Sequence, residues 1–85
     1  MTGQFMFYIY ILKSELDGKL YTGFTGNLKK RISEHNNGRV ESTKNRRPLE
    51  LIYYEAYREK ENALKREKFL KTTKGKRQLK KQIPV

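Results

Sequence analysis

Aromatic and branched residues gather in three runs along the chain, Phe5 to Leu12, Lys19 to Thr25 and Leu49 to Tyr57, and each has the composition of a strand. Asp17-Gly18 lies between the first two runs and is a strong tight-turn signal, which predicts an antiparallel hairpin. With Asp17 and Gly18 as the two central turn residues, Leu16 faces Lys19, Ser14 faces Tyr21, Leu12 faces Gly23 and Tyr10 faces Thr25. Opposed residues share a face, so Tyr10 and Tyr21 are expected to point the same way. The third run, LELIYYEAY, reads as a strand buried on much of both faces and is expected in the middle of the sheet.

The remaining pattern is helical or polar. Asn27 is placed to cap a helix from Leu28 to about Asn36, and Gly38 just beyond is a natural left-handed terminator. Leu28, Ile32 and His35 recur at i, i+4 and i+7, with Arg31 one turn before His35 on the adjoining edge. Arg39 to Pro48 lacks apolar periodicity and reads as a basic loop carrying Lys44, Arg46 and Arg47. Glu61 to Lys71 and Lys74 to Gln82 read as two helices, separated near Thr72-Thr73 or Gly75. The element order is β-β-α-β-α-α.

Composition sharpens this picture. Eighty-five residues at 35% hydrophobic suit a single domain, residues 1–85 with a core of about 5–82. The formal net charge is +11, which points to a polyanionic partner, with a membrane surface the weaker candidate. Residues 60 to 85 hold ten Lys/Arg and two Glu, hence +8 of that charge, and they are the expected electrostatic footprint. The apolar run at Phe5 is too short to span a bilayer, with no basic residue before it and no small-residue cleavage pattern after it, so no membrane association is expected. With no cysteine and one histidine, thiolate chemistry, cysteine-zinc sites and a histidine cage are excluded. Intracellular, cytoplasmic placement is the expectation.

The residues able to carry chemistry are Tyr10, Tyr21, Arg31, His35 and Glu67. Ala63, Glu67 and Leu70 share one helical stripe, which sets a carboxylate on the apolar side of a basic helix. Such an acid needs a cation, either Arg31 or Lys71 in a salt bridge or a divalent metal. One carboxylate with water and phosphate suits Mg²⁺. Arg31 offers a planar fork for phosphate, and His35 titrates near neutrality. A tyrosine acts as a base only where positive charge favours its phenolate. Gly23 leaves the strand bare, as close approach by a phosphate would require; a bulge or bend is the structural alternative.

In order, Tyr8-Ile9-Tyr10, Tyr21-Thr22-Gly23, Asn27-Leu28-Lys29-Lys30-Arg31, His35, Arg47-Pro48 and Glu67 resemble the GIY-YIG nuclease superfamily, in particular its small single-domain bacterial members of the URI type. The resemblance covers roughly Tyr8 to Lys81. It implies an α+β fold, a small three-stranded antiparallel sheet flanked by helices, and metal-dependent hydrolysis of nucleic-acid phosphodiesters with Mg²⁺ or Mn²⁺. Carried over by position, Tyr10 and Tyr21 are the motif tyrosines, Arg31 the phosphate-stabilising arginine, His35 the accessory residue beside a phenol and Glu67 the metal ligand. Which tyrosine takes the proton stays open. The chain departs from the pattern in three places: Tyr8 replaces the opening glycine, Phe24 stands where several relatives have lysine, and Lys68 to Val85 contains no asparagine.

The leading expectation is an endonuclease that cuts DNA rather than RNA, with low or structure-based specificity and a targeting protein as a further partner. Gly23, Lys44, Arg46, Arg47, Lys71, Lys74, Lys76 and Arg77 are the expected phosphate and nucleic-acid contacts. The alternatives are a non-catalytic nucleic-acid-binding module of the same fold and an interaction protein on an acidic partner.

Overall fold

The first two strands, β1 (Phe7–Ser14) and β2 (Leu20–Thr25), form the expected hairpin but are joined by a longer turn than a two-residue connection. In the computed structural model, which describes residues 5–83, Tyr10 lies opposite Gly23 and Leu12 opposite Tyr21. The register is thus displaced by two residues from the one expected. Ser14 is the cause: its hydroxyl accepts from the Leu16 and Asp17 amides (3.1 and 3.2 Å) and donates to the Arg46 carbonyl (2.7 Å), organising Glu15 to Gly18 as a longer turn. Gly18 closes that turn at φ 72°, a region glycine enters without steric cost. A displacement of two preserves side-chain parity, so Tyr10 and Tyr21 still share a face.

The sheet order is β2-β1-β3, with β3 spanning Leu49–Tyr57 and every pairing antiparallel. The expected middle strand is therefore an edge, and β1 is central. Burial explains the difference. Ile9, Tyr10, Ile11 and Leu12 of β1 are all buried, so both its faces are covered, whereas β3 exposes Glu50, Tyr54 and Ala56. The pairing of β1 with β3 shifts between Ile11 and Leu12, leaving Ile52 as an extra residue in a bulge. Leu49 and Leu51 consequently pack with Tyr10 and Leu12, while Ile52, Tyr53 and Tyr57 pack on the opposite face.

Helices cover both faces. Helix α1 (Leu28–Asn36) is capped by Asn27, whose side chain accepts from the Lys30 amide (3.1 Å), and it stops before Gly38 at φ 76°. Its Leu28 and Ile32, like Tyr21 and Leu51, pack against the buried cluster of Tyr10, Leu12 and Leu49. Asn36 then bonds both the amide and the carbonyl of Leu49 (2.9 and 3.0 Å), tying the end of α1 to the start of β3. On the other face, α2 (Lys60–Leu70) and α3 (Thr73–Gln82) bury Ala63, Leu70 and Leu79 against Ile9 and Ile11. The break between them falls at Lys71-Thr72, where Thr72 caps α3 through the Gly75 amide (3.0 Å). Gly75 lies inside α3, and a Cβ there would run into the Phe69 carbonyl, so it serves close packing and does not break the helix. Among the described residues no helix is long and apolar enough to cross a membrane.

Candidate active site

The α1 face of the hairpin gathers four of the five residues singled out for chemistry. Tyr10 is 1% exposed and its hydroxyl lies 2.8 Å from His35 Nε2; His35, itself fully buried, has Nδ1 2.7 Å from Thr43 Oγ1. The Tyr21 ring stands 5.2 Å from the His35 ring and 6.5 Å from that of Tyr10, centroid to centroid. Gly23 lies opposite Tyr10 on β2, and a Cβ there would overlap the Tyr10 phenol. The glycine thus makes room for the tyrosine to lie across the strand, a role that neither phosphate approach nor a bulge had suggested.

Burial sets the protonation of this cluster. It pushes the Tyr10 phenol up to about 12, against a lowering influence of Arg31. Burial, followed by the Arg31 charge, pushes the His35 imidazole down to about 4. Near neutrality both groups are uncharged. A neutral imidazole has one donor and one acceptor nitrogen, so Tyr10, His35 and Thr43 form a continuous chain of bonds in either tautomer. Thr43 was not anticipated. It lies in the segment without apolar periodicity, and only its burial at the turn before residues Lys44–Arg46 reveals it.

Arg31 and Tyr21 are the accessible members of the cluster. The Arg31 side chain is 37% exposed and bonds Glu34 Oε1 at 3.1 Å. Tyr10, then Glu34, hold its guanidinium more firmly charged than usual, although toward Tyr10 it is a close neighbour and not a bonded partner. Tyr21 is half-buried, and among the described residues its hydroxyl accepts one side-chain hydrogen bond, from Ser42 Oγ at 3.5 Å.

Glu67 approaches from α2. Its side chain is 19% exposed, and Oε2 pairs with Lys71 Nζ at 3.0 Å, the salt-bridge partner foreseen among the alternatives. Its charge also reaches Tyr10, where it opposes ionisation of the phenol. Among the described residues no group of three or more His, Cys, Asp and Glu converges. The donor set fits a cation that keeps its waters and takes one carboxylate, not one that needs a protein cage.

The basic residues divide by pairing. Lys44 pairs with Glu41 (3.0 Å) and Arg46 with Asp17 (3.4 Å), and Arg47 bonds the Lys44 carbonyl (2.8 Å), so much of the loop's charge is compensated within the fold. Lys74, Lys76 and Arg77 are exposed on α3, and no ion pair engages them among the described residues.

The chain is similar to known proteins over most of its length. The family model of the GIY-YIG catalytic domain matches residues 6–81. The chain is 49% identical over 74 residues to a UPF0213 protein of Staphylococcus saprophyticus, covering 86% of this chain and 89% of that one. A UPF0213 protein of Clostridium perfringens is 48% identical over 67 residues, 78% of this chain and 71% of the relative. The solution NMR structure of the UPF0213 protein BH0048 from Bacillus halodurans superposes with a TM-score of 0.55 at 35% identity, covering 87% of this chain and 81% of that one.

Proposed function

The chain belongs to the GIY-YIG catalytic domain family, and on that premise we propose that it is a Mg²⁺-dependent endonuclease of the cytoplasm, acting on nucleic acid, DNA before RNA, by structure more than by base sequence. The observation that carries this reading is the pairing of a sealed phenol with an open one. Tyr10 is locked to His35 behind Gly23, whereas Tyr21 and Arg31 stand beside it with hydroxyl and guanidinium within reach of a substrate.

Tyr21 is the better base for that reason. Ionising Tyr10 means taking a proton from a buried phenol already raised to about 12, while the half-buried Tyr21 hydroxyl accepts a long bond from Ser42 Oγ (3.5 Å) that it keeps when its proton leaves. In the proposed reaction the oxygen of a water bonds to phosphorus as its proton passes to the Tyr21 phenolate. The bridging P–O bond breaks, and the leaving oxygen is protonated by solvent. Arg31 steadies the charge that accumulates on the phosphoryl oxygens. The Tyr10, His35 and Thr43 chain fixes the imidazole against which the Tyr21 ring packs in a T-shaped contact. Glu67 would hold the metal, Mg²⁺ or Mn²⁺, which supplies Lewis acidity at the phosphate and positive charge that favours phenolate.

Lys74, Lys76 and Arg77 on α3, with Lys71 and the loop cations Lys44, Arg46 and Arg47, are the proposed backbone grip, and a small basic module of this kind suits recruitment by a targeting protein. A binding-only module is the second reading, favoured by the Glu67–Lys71 ion pair, since an acid already matched to a lysine has a structural role. Plasmid nicking with and without Mg²⁺ tests the choice, with Glu67→Gln alongside. A nuclease nicks in Mg²⁺, stops in chelator, and loses cleavage on Glu67→Gln while DNA binding persists. A binding module nicks under neither condition, and the same substitution lowers its stability instead.

A further inference from the structure

Strand alternation gives β2 two working faces. Tyr21 points to the candidate active site, and its neighbour Thr22 points to the other side of the sheet, where it helps line a cleft of about 510 Å³. Lys13 and Lys19 from the hairpin and Lys76 and Lys80 from α3 surround this cleft, with Leu20, Leu79 and Thr22 completing its wall. Folding has brought four lysines from two ends of the chain to line one cleft.

This cluster differs from the cations that the fold pairs with acids. Arg31, Lys44, Arg46, Arg66 and Lys71 each find a carboxylate within 4 Å. Among the described residues none of the four cleft lysines does, and no Asp or Glu lines the cleft. Like charges facing one concavity repel until an anion enters, and field lines concentrate where low-dielectric walls enclose them. The cleft is also larger than a bare phosphate needs and lies in the size range of small-molecule pockets. Half-buried Leu20, backed by buried Leu79, offers apolar contact for a sugar or base, and the Thr22 hydroxyl offers a hydrogen bond.

We infer that this cleft is a second nucleotide-binding site, which holds a phosphodiester unit of the nucleic-acid strand on the sheet face opposite Tyr10 and Tyr21. Among the described residues no strand pairs with the outer side of β2, so a nucleic-acid strand passing around that edge meets the active-site face at Tyr21 and the cleft at Thr22. The cleft positions substrate and takes no part in bond breaking. This inference rests on the nuclease reading for its substrate, but not for its test.

The test compares two variants of equal charge. Lys13→Gln with Lys19→Gln empties one side of the cleft, and Lys60→Gln with Lys65→Gln removes the same charge from exposed positions on α2. Binding of a short fluorescent DNA duplex is measured in chelator across a salt series. The cleft variant should lose up to about 1.8 from the log-log salt slope, about 0.9 for each phosphate no longer neutralised, and several-fold in affinity at low salt; the control should change by less than half as much. Equal behaviour of the two variants would overturn the inference. Lys13 is half-buried, so Lys19→Gln with Lys80→Gln, both exposed, repeats the measurement with the same expectation should the first variant melt early. Amide NMR shifts separate the sources of the anion: Leu20, Thr22 and Leu79 should move when an oligonucleotide is added. Shifts with inorganic phosphate or a free deoxynucleoside monophosphate alone, and none with the oligonucleotide, would also overturn it. A wild-type protein that never nicks DNA yet shows cleft-dependent binding would refute the nuclease reading and leave the cleft assigned.

Discussion

Two clusters of tyrosines occupy opposite faces of the same sheet, and they use similar groups to opposite ends. On the α2 face, the Glu55 carboxylate accepts from the Tyr53 and Tyr57 hydroxyls and from Arg66 Nε and Nη2 (3.0 and 3.1 Å). Four donors fill the roughly four lone-pair sites a carboxylate offers. Burial opposes ionisation of Glu55, but the bonds from Arg66, Tyr53 and Tyr57 outweigh it and hold its carboxyl below the usual range. Burial and the same carboxylate push the Tyr57 phenol up to about 12. Arg66 is further engaged by Gln82 and by the Phe69 ring. That cluster is saturated, and it ties β3 to α2 and α3.

On the α1 face only the inner half is saturated. Tyr10, His35 and Thr43 satisfy one another, while Tyr21 and Arg31 keep capacity for a ligand. Tyrosine, arginine and a carboxylate are therefore not diagnostic of a site in themselves. Unused hydrogen-bonding capacity beside a rigid, satisfied support is the feature that separates the two faces.

The sharpest way to break this contrast is to remove one hydroxyl from each face. Tyr21→Phe should lower single-turnover cleavage by roughly 10²–10⁴, the usual worth of a general base, with melting unchanged. Tyr53→Phe should leave the cleavage rate of folded protein near wild type. Equal rates in the two variants would erase the proposed distinction.

The pH dependence of stability tests the sealed half of the α1 face. His35 is held near 4 when folded, below its ordinary 6.5, so the unfolded chain binds a proton more readily between those values. Stability from this group is then complete above about pH 6.5 and is lost as pH falls toward 4, to a total of about 3 kcal/mol. Urea denaturation at pH 7 and pH 4 should show this loss in wild type and not in His35→Gln, compared as differences between the two pH values.

Glu55→Gln should cost slightly less, roughly 2 kcal/mol, because the Glu55–Arg66 pair is partly open to solvent, with side chains 18% and 21% exposed. Its signature is a lower denaturation midpoint with normal cleavage by the folded fraction, the reverse of Tyr21→Phe. Gly23→Ala should have the smallest effect on stability, about 1–2 kcal/mol of overpacking against the Tyr10 phenol. It also couples the halves of the site. Displacing Tyr10 should disturb the Tyr21 and His35 packing and slow cleavage, which a rate measured on fully folded protein will show.

Much of this protein was legible in its sequence because the signals are local. The Asn27 cap, the Gly38 terminator, the 28, 32 and 35 stripe and the third strand's bounds all lie where short-range patterns predict them. The shared face of Tyr10 and Tyr21 was also legible, since parity survives a register displacement of two. Other features depend on partners distant in sequence. Ser14 lengthens the turn while its hydroxyl reaches Arg46, and Thr43 completes a bond chain begun at Tyr10. No window of neighbouring residues contains either pair.

The strand order and the division of β3 between two faces belong to the same class. LELIYYEAY has the hydrophobicity of a central strand, but its extra residue at Ile52 lets one run serve both sides of the sheet from an edge. The sequence by itself therefore determined the elements, the parity of the hairpin and the set of groups proposed to act on a phosphodiester. Tertiary structure alone decided which phenol is sealed and which is open, which cations are matched by acids, and that Lys13 and Lys19 meet Lys76 and Lys80 around one cleft. The reason is physical: backbone propensity and periodicity act over a few residues, whereas burial and charge pairing depend on what the folded chain brings alongside.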